Sequence, residues 1–81
     1  MSRRNATKLE ILRLVEKWGP ASVDEIVLQS GGRFNSANVR MELCRLYRQH
    51  LLSRFKKSRA YYYEITDRGD YKITFYENAG L

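Results

Sequence analysis

Apolar positions change their period once along the chain. Up to about residue 49 they recur every three to four positions, the helical spacing, and beyond it they run together or alternate. Ile11, Leu12, Leu14, Val15 and Trp18 make one broad apolar face and predict a first helix over residues 7–18. Thr7-Lys8-Leu9-Glu10 in front of it has the form of a capping box, and Gly19-Pro20 supplies the stop. Trp18 is expected in the core, closing this helix on the next. Ser22-Val23-Asp24-Glu25 is a second capping box, with acids in the first turn where the helix dipole favours them. Val23, Ile26 and Val27 form the inward stripe of that second helix, with Leu28 at its margin, and Gly31-Gly32 breaks it. A third helix opens at Asn35 or Ser36, both good caps, and covers 36–49. Val39, Leu43 and Leu46 share its inner face. Its outer face presents Ala37, Met41, Cys44 and Arg48, flanked by Arg40 and Arg45, with Asn38 near the edge.

After residue 50 the pattern turns to strand. Leu52-Ser53-Arg54-Phe55 and Ala60-Tyr61-Tyr62-Tyr63-Glu64-Ile65 are rich in strand formers, and Lys56-Lys57-Ser58-Arg59 between them reads as a cationic hairpin tip. Alternation in the second run sends Tyr61, Tyr63 and Ile65 to one face, which predicts Tyr61 and Tyr63 as core and leaves Tyr62 outward, able to stack on a base. Residues 67–76 are ambiguous. Thr66-Asp67-Arg68-Gly69 looks like a helix cap, yet Tyr71-Lys72-Ile73-Thr74-Phe75-Tyr76 alternates with period two and is full of β-formers. The whole predicts one α+β domain over 1–81, with loose ends at 1–6 and 78–81.

Composition narrows the chemistry. The chain has 81 residues, 43% of them hydrophobic, which allows one small core. One cysteine excludes an internal disulfide, and Cys44 with the lone His50 makes no zinc set. No run of about 18 apolar residues exists for a membrane span, and the basic start at Arg3 and Arg4 is not followed by the apolar run of a secretory signal. No carboxylate pair, paired nucleophile and base, or phosphate-cradling glycine loop stands out, so an enzyme is not expected, nor a cofactor, a metal or a small-molecule ligand. A cytoplasmic location is expected, away from membranes.

Charge is the strongest functional signal. The net charge is +6, and residues 35–60 alone reach that value, with seven bases (Arg40, Arg45, Arg48, Arg54, Lys56, Lys57, Arg59) against Glu42. Residues 1–34 carry +2 and residues 61–81 carry −2. So one-sided a segment suits phosphate better than a mixed solvated face does.

Helix, capped helix, turn, helix and basic hairpin follow the order of a winged helix-turn-helix domain, and the likeness extends to motifs. Asn35-Ser36-Ala37-Asn38-Val39-Arg40-Met41-Glu42-Leu43-Cys44-Arg45-Leu46 resembles the third-helix run of winged-helix regulators, and His50-Leu51-Leu52 the step into their wing. Tyr63-Glu64-Ile65-Thr66-Asp67-Arg68-Gly69 is similar to their Tyr-x-Leu-Thr-x-x-Gly run, which usually opens a further helix. In size the chain is most like small archaeal and viral transcription regulators. It departs from the family at His50, where glycine is usual at a position of positive φ, and in a long second turn from Gly31 to Asn35. The resemblance implies three helices, a β-hairpin wing and a short C-terminal helix or strand. It also implies binding to double-stranded DNA, helix 36–49 in the major groove and wing 56–59 on the minor groove or backbone.

Asn38, Arg40 and Arg45 have the donor and acceptor geometry for base edges, with Ser36 and Met41 beside them. Arg48, Lys56, Lys57 and Arg59 are placed for phosphate, and Arg3 and Arg4 read as a disordered terminus rather than a short basic arm. A homodimer through the first helix and the tail is expected, since Tyr71, Phe75 and Tyr76 are many aromatics for so small a core. Two other readings stay open: a winged-helix protein-interaction module, and a ribosome-associated RNA-binding protein. Cys44 is expected as a small residue fitted against its surroundings.

Overall fold

Helix α1 (Arg3–Trp18) presents Leu9, Ile11, Leu12 and Val15 to the core, each no more than 4% exposed. The computed structural model describes residues 3–79; Met1, Ser2, Gly80, Leu81 and the side chains of residues 3–5 lie outside the description. Of the two ends expected to be loose, residues 3–6 and 78 are helical, and the remainder falls partly on residues outside the description. Two expectations for α1 are corrected. Thr7 lies inside the helix and is not its cap, and Glu10, the partner a capping box would need, is ion-paired with Arg33 in the turn between the second and third helices. Trp18 is not core: it is 45% exposed, with the Lys17 ammonium 5.2 Å from its ring centre. The chain turns at Gly19-Pro20 one residue later, before the indole can reach the second helix.

The second capping box is real. Helix α2 (Val23–Gln29) begins where Ser22 Oγ accepts from the Glu25 N–H at 3.3 Å while Glu25 Oε1 accepts from the Ser22 N–H at 3.4 Å. Gly31 and Gly32 then take φ of +67° and +83°, the left-handed values that reverse the chain. Helix α3 (Ser36–Arg48) is capped by Asn35, whose side chain accepts from the Asn38 N–H at 2.8 Å. Val39, Leu43 and Leu46 are fully buried on the predicted inner face. At its end the His50 N–H donates to Tyr47 O and the Leu51 N–H to Leu46 O, both at 3.0 Å, with His50 at φ +63°. That is a Schellman ending with Leu51 packed back towards Leu46, and histidine fills the place that glycine suits best.

Strands β1 (Leu52–Lys57) and β2 (Ala60–Ile65) pair antiparallel, in the register Leu52 with Ile65 through Lys57 with Ala60. The strands therefore take in Lys56 and Lys57, and the turn is Ser58-Arg59 alone. Both of its residues have positive φ, +52° and +68°, the primed two-residue geometry that matches strand twist. Ala21, between α1 and α2, adds a one-residue third strand: its N–H and C=O bond Tyr63 at 2.9 and 2.8 Å.

The tail is helix α4 (Asp67–Asn78). Thr66 decides this. Its Oγ1 accepts from the Gly69 N–H at 3.0 Å, its own N–H donates to Leu51 O at 3.2 Å, and its hydroxyl hydrogen faces the carbonyls of His50 and Leu51 at 2.7 and 2.9 Å. One side chain thus starts α4 and ties it to the end of α3. Helical winding buries Gly69, Ile73 and Tyr76, and leaves Tyr71 and Phe75 exposed, where period two would have put both with Ile73. Arg13 closes α1 onto α4 through Glu77 at 2.8 Å. Three helices, a hairpin and a fourth helix form an α+β fold of winged-helix-like topology.

Candidate nucleic-acid interface

The side chains singled out by charge and wheel position lie mostly at the surface. Ser36, Asn38, Arg40, Met41 and Arg48 on α3 are exposed, as are Lys56, Lys57 and Arg59 on the hairpin. Arg45 is partly committed: its guanidinium lies 3.5 Å from Glu42, a carboxylate only 9% exposed that would otherwise be buried without a countercharge. Arg40 and Arg45 take opposite flanks of the outer face, so they do not converge on one point.

Arg40 instead faces the wing. A cleft of about 540 Å³ runs between α3 and the hairpin, lined by Arg40 and Cys44 from α3, Arg54, Arg59 and Tyr61 from the hairpin, and Asp24 near the start of α2. The structure therefore brings Arg40 and Arg59 to one cleft although they are 19 positions apart in sequence. Met41 and Arg48 lie outside it on the open face of α3, and Lys56 and Lys57, both exposed, point to opposite faces of β1.

Also lining the cleft is a residue whose place the sequence pattern does not disclose. Arg54 lies on the inner face of β1, opposite Tyr63. Its guanidinium carbon is 4.1 Å from the ring centre of Tyr47 on α3 and 4.3 Å from that of Tyr61 on β2. Both distances are well inside the range in which a cation is held by an aromatic face. The Tyr63 hydroxyl beside it raises the guanidinium's pKa further. Burial in turn pushes the Tyr63 phenol up, with Arg54 opposing, so it stays a neutral hydroxyl facing both Arg54 and the Cys44 thiol. Tyr61 is accordingly not a core residue: it is 45% exposed and spends one ring face on Arg54. Tyr62, on the outer face of the wing, stacks on Phe55 with ring centres 5.8 Å apart and planes 15° from parallel. One face of its ring is thereby taken.

No helix among the described residues is long and apolar enough to cross a membrane, and no three His, Cys, Asp or Glu side chains among them gather as a metal-binding group. On the far side of the molecule, α4 exposes Tyr71 (70%) and Phe75 (50%) beside a shallow groove of about 280 Å³ that also touches Thr74, Asn78 and Ala79.

These features define a small winged-helix-like domain with a cationic α3 and wing. No protein-family profile matches the sequence, and no curated protein matches it. Among solved structures, the chain is similar to a protein of unknown function from Listeria innocua Clip11262, with a TM-score of 0.73 and 24% sequence identity. The match covers 88% of this chain and 49% of the other, so this chain spans about half the length of its structural relative. At that identity the likeness is one of fold.

Proposed function

We propose that the protein binds double-stranded DNA in a sequence-dependent manner, as a transcription regulator without catalytic activity. The observation that carries this reading is the meeting of two basic elements, α3 and the hairpin, at one cleft. Residues 35–60 hold charge equal to the whole net +6, and α3 and the hairpin bring Arg40 and Arg59 to a common cleft. In this reading the exposed face of α3, with Ser36, Asn38, Arg40 and Met41 near its start, meets base edges in the major groove. Arg48, Lys56, Lys57 and Arg59 meet phosphate on either side. The exposed Tyr71 and Phe75 of α4 serve a homodimer contact, leaving α3 free, which suits a two-fold operator.

Selection from a random pool of duplexes, with structured RNA as competitor, tests the reading. Enrichment of one sequence that RNA does not displace is the expected result. Preferential retention of the RNA would move the function to RNA, and retention of neither nucleic acid would leave α3 and the wing as a surface for an acidic protein.

A further inference from the structure

We propose that Arg54 is a positioning residue for this interface. Clamped between Tyr47 and Tyr61, it fixes the wing against α3 so that Arg40 and Arg59 close on the same stretch of nucleic-acid backbone. It makes no contact with the phosphate itself. The proposal rests on the nucleic-acid reading above.

The argument begins with the mechanics of the hairpin. A two-stranded hairpin is only marginally stable by itself and needs packing against another element. Here the packing is concentrated at the base, where Leu52 and Tyr63 are 2% and 3% exposed. Beyond Tyr63 the inner face carries Arg54, Lys56 and Tyr61, none of them buried. Apolar packing therefore gives out about halfway along the wing. Without another tie, the outer half would swing relative to α3, and Arg59 at the turn would move furthest.

Arg54 is the tie. Tyr47 belongs to α3 and Tyr61 to β2, so the guanidinium is held by one ring from each of the two walls it joins. A flat guanidinium can lie close against two rings at once; an ammonium is a compact, strongly hydrated charge and stacks on neither ring in the same way. The same geometry commits the Arg54 guanidinium to partners within the protein. Two ring centres lie within 4.3 Å of its guanidinium carbon, and the Tyr63 hydroxyl is a further partner. Arg40 and Arg59 have no such enclosure: both are exposed on the cleft. Of the three arginines lining the cleft, Arg54 is the one held by rings from both walls, and in this reading it sets the distance between the other two.

A positioning role and a phosphate contact predict different salt behaviour. Each phosphate neutralised contributes close to one unit to the slope of log affinity against log salt. The experiment titrates a random-sequence duplex with wild type, Arg54→Ala and Arg54→Lys at three salt concentrations. Losing contacts with two rings should weaken binding roughly 5- to 30-fold at each salt. The slope should stay within half a unit of wild type, and lysine should fail to rescue. A slope reduced by about one unit, restored by lysine, would show Arg54 to be a phosphate ligand and overturn the proposal, as would unchanged affinity in Arg54→Ala.

Amide hydrogen exchange of the free protein tests the clamp without any nucleic acid. Arg54→Ala and, separately, Tyr61→Leu should speed exchange in the outer hairpin, residues 55–61, while α1 keeps wild-type protection as the control for folding. Wild-type protection of the hairpin in both variants would sink the clamp even if the protein binds DNA. Absence of salt-dependent binding by wild type, with faster hairpin exchange in the variants, would keep the clamp and reject the nucleic-acid reading and the role built on it.

Discussion

Replacing Gly69 by alanine should destabilise the fold by an amount set by collision, not by backbone conformation. Gly69 is in the first turn of α4 and buried beneath the Leu51 carbonyl. A methyl group there would strike Leu51 O, and would lie 2.7 Å from Ile65 Cδ1 and 3.0 Å from the Leu51 carbonyl carbon. The Ile65 methyl can turn away. The Leu51 carbonyl is held by the Thr66 N–H at 3.2 Å and faces the Thr66 hydroxyl at 2.9 Å. Relief therefore requires α4 to back away from the end of α3, which loosens the Thr66 bonds to the His50 and Leu51 carbonyls as well. Overpacking costs about 1–3 kcal/mol, loss of the Thr66 bonds to α3 about 1, and the better helix propensity of alanine returns up to about 1. The net loss is about 1–4 kcal/mol, which lowers the midpoint of a domain this size by about 4–30 °C. Gly31→Ala is the control. Nothing lies within 4 Å of a methyl there, and only φ of +67° opposes it, for about 1–2 kcal/mol. Thermal melts followed by circular dichroism compare the two. A change of under about 3 °C for Gly69→Ala, or a larger loss at Gly31, would refute the reasoning.

Leu43→Ala, at a fully buried site in α3, should cost about 2–5 kcal/mol in urea titrations, whereas Met41→Ala, one helix face away and 55% exposed, should stay within about 0.5. His50→Gly should raise stability by roughly 0.5–1 kcal/mol in the same assay, because φ of +63° at the end of α3 strains histidine and not glycine. In binding titrations against selected and scrambled duplexes, Arg40→Ala should lower affinity for the selected site by about 1–3 kcal/mol and flatten the preference for it. Lys57→Ala should weaken both duplexes alike and reduce the salt slope by about one unit.

Much of the architecture is carried by local signals. Ser22-x-x-Glu25 caps α2, Asn35 caps α3, and the step at His50 takes positive φ, each set by a few neighbouring residues. Local signals misled where a distant partner intervened. Thr7-x-x-Glu10 has the form of a cap, but Glu10 is drawn to Arg33, 23 positions away, and the helix runs on to Arg3. Strand propensity at residues 71–76 loses to the Thr66 cap and to the burial of Ile73 and Tyr76 against the remaining core. The basic surface was legible because charge is a property of segments. Arg54 was not, because its role depends on the register that sets it opposite Tyr63 and on the approach of Tyr47 from α3. Tyr61 was misjudged for the same reason: alternation gives its face, but not that a guanidinium covers it in place of the core.

The central claim is that the basic middle third meets phosphate, and the salt dependence of duplex binding tests it most directly. Arg40, Arg48, Lys56, Lys57 and Arg59 are all exposed and carry five positive charges, enough with the neighbouring bases to neutralise roughly four to six phosphates per chain. Titration of duplex DNA by the wild-type protein between low and physiological salt should then give a log–log slope of about −4 to −5 per chain. A slope near zero, or no binding to any duplex at low salt, would contradict the account.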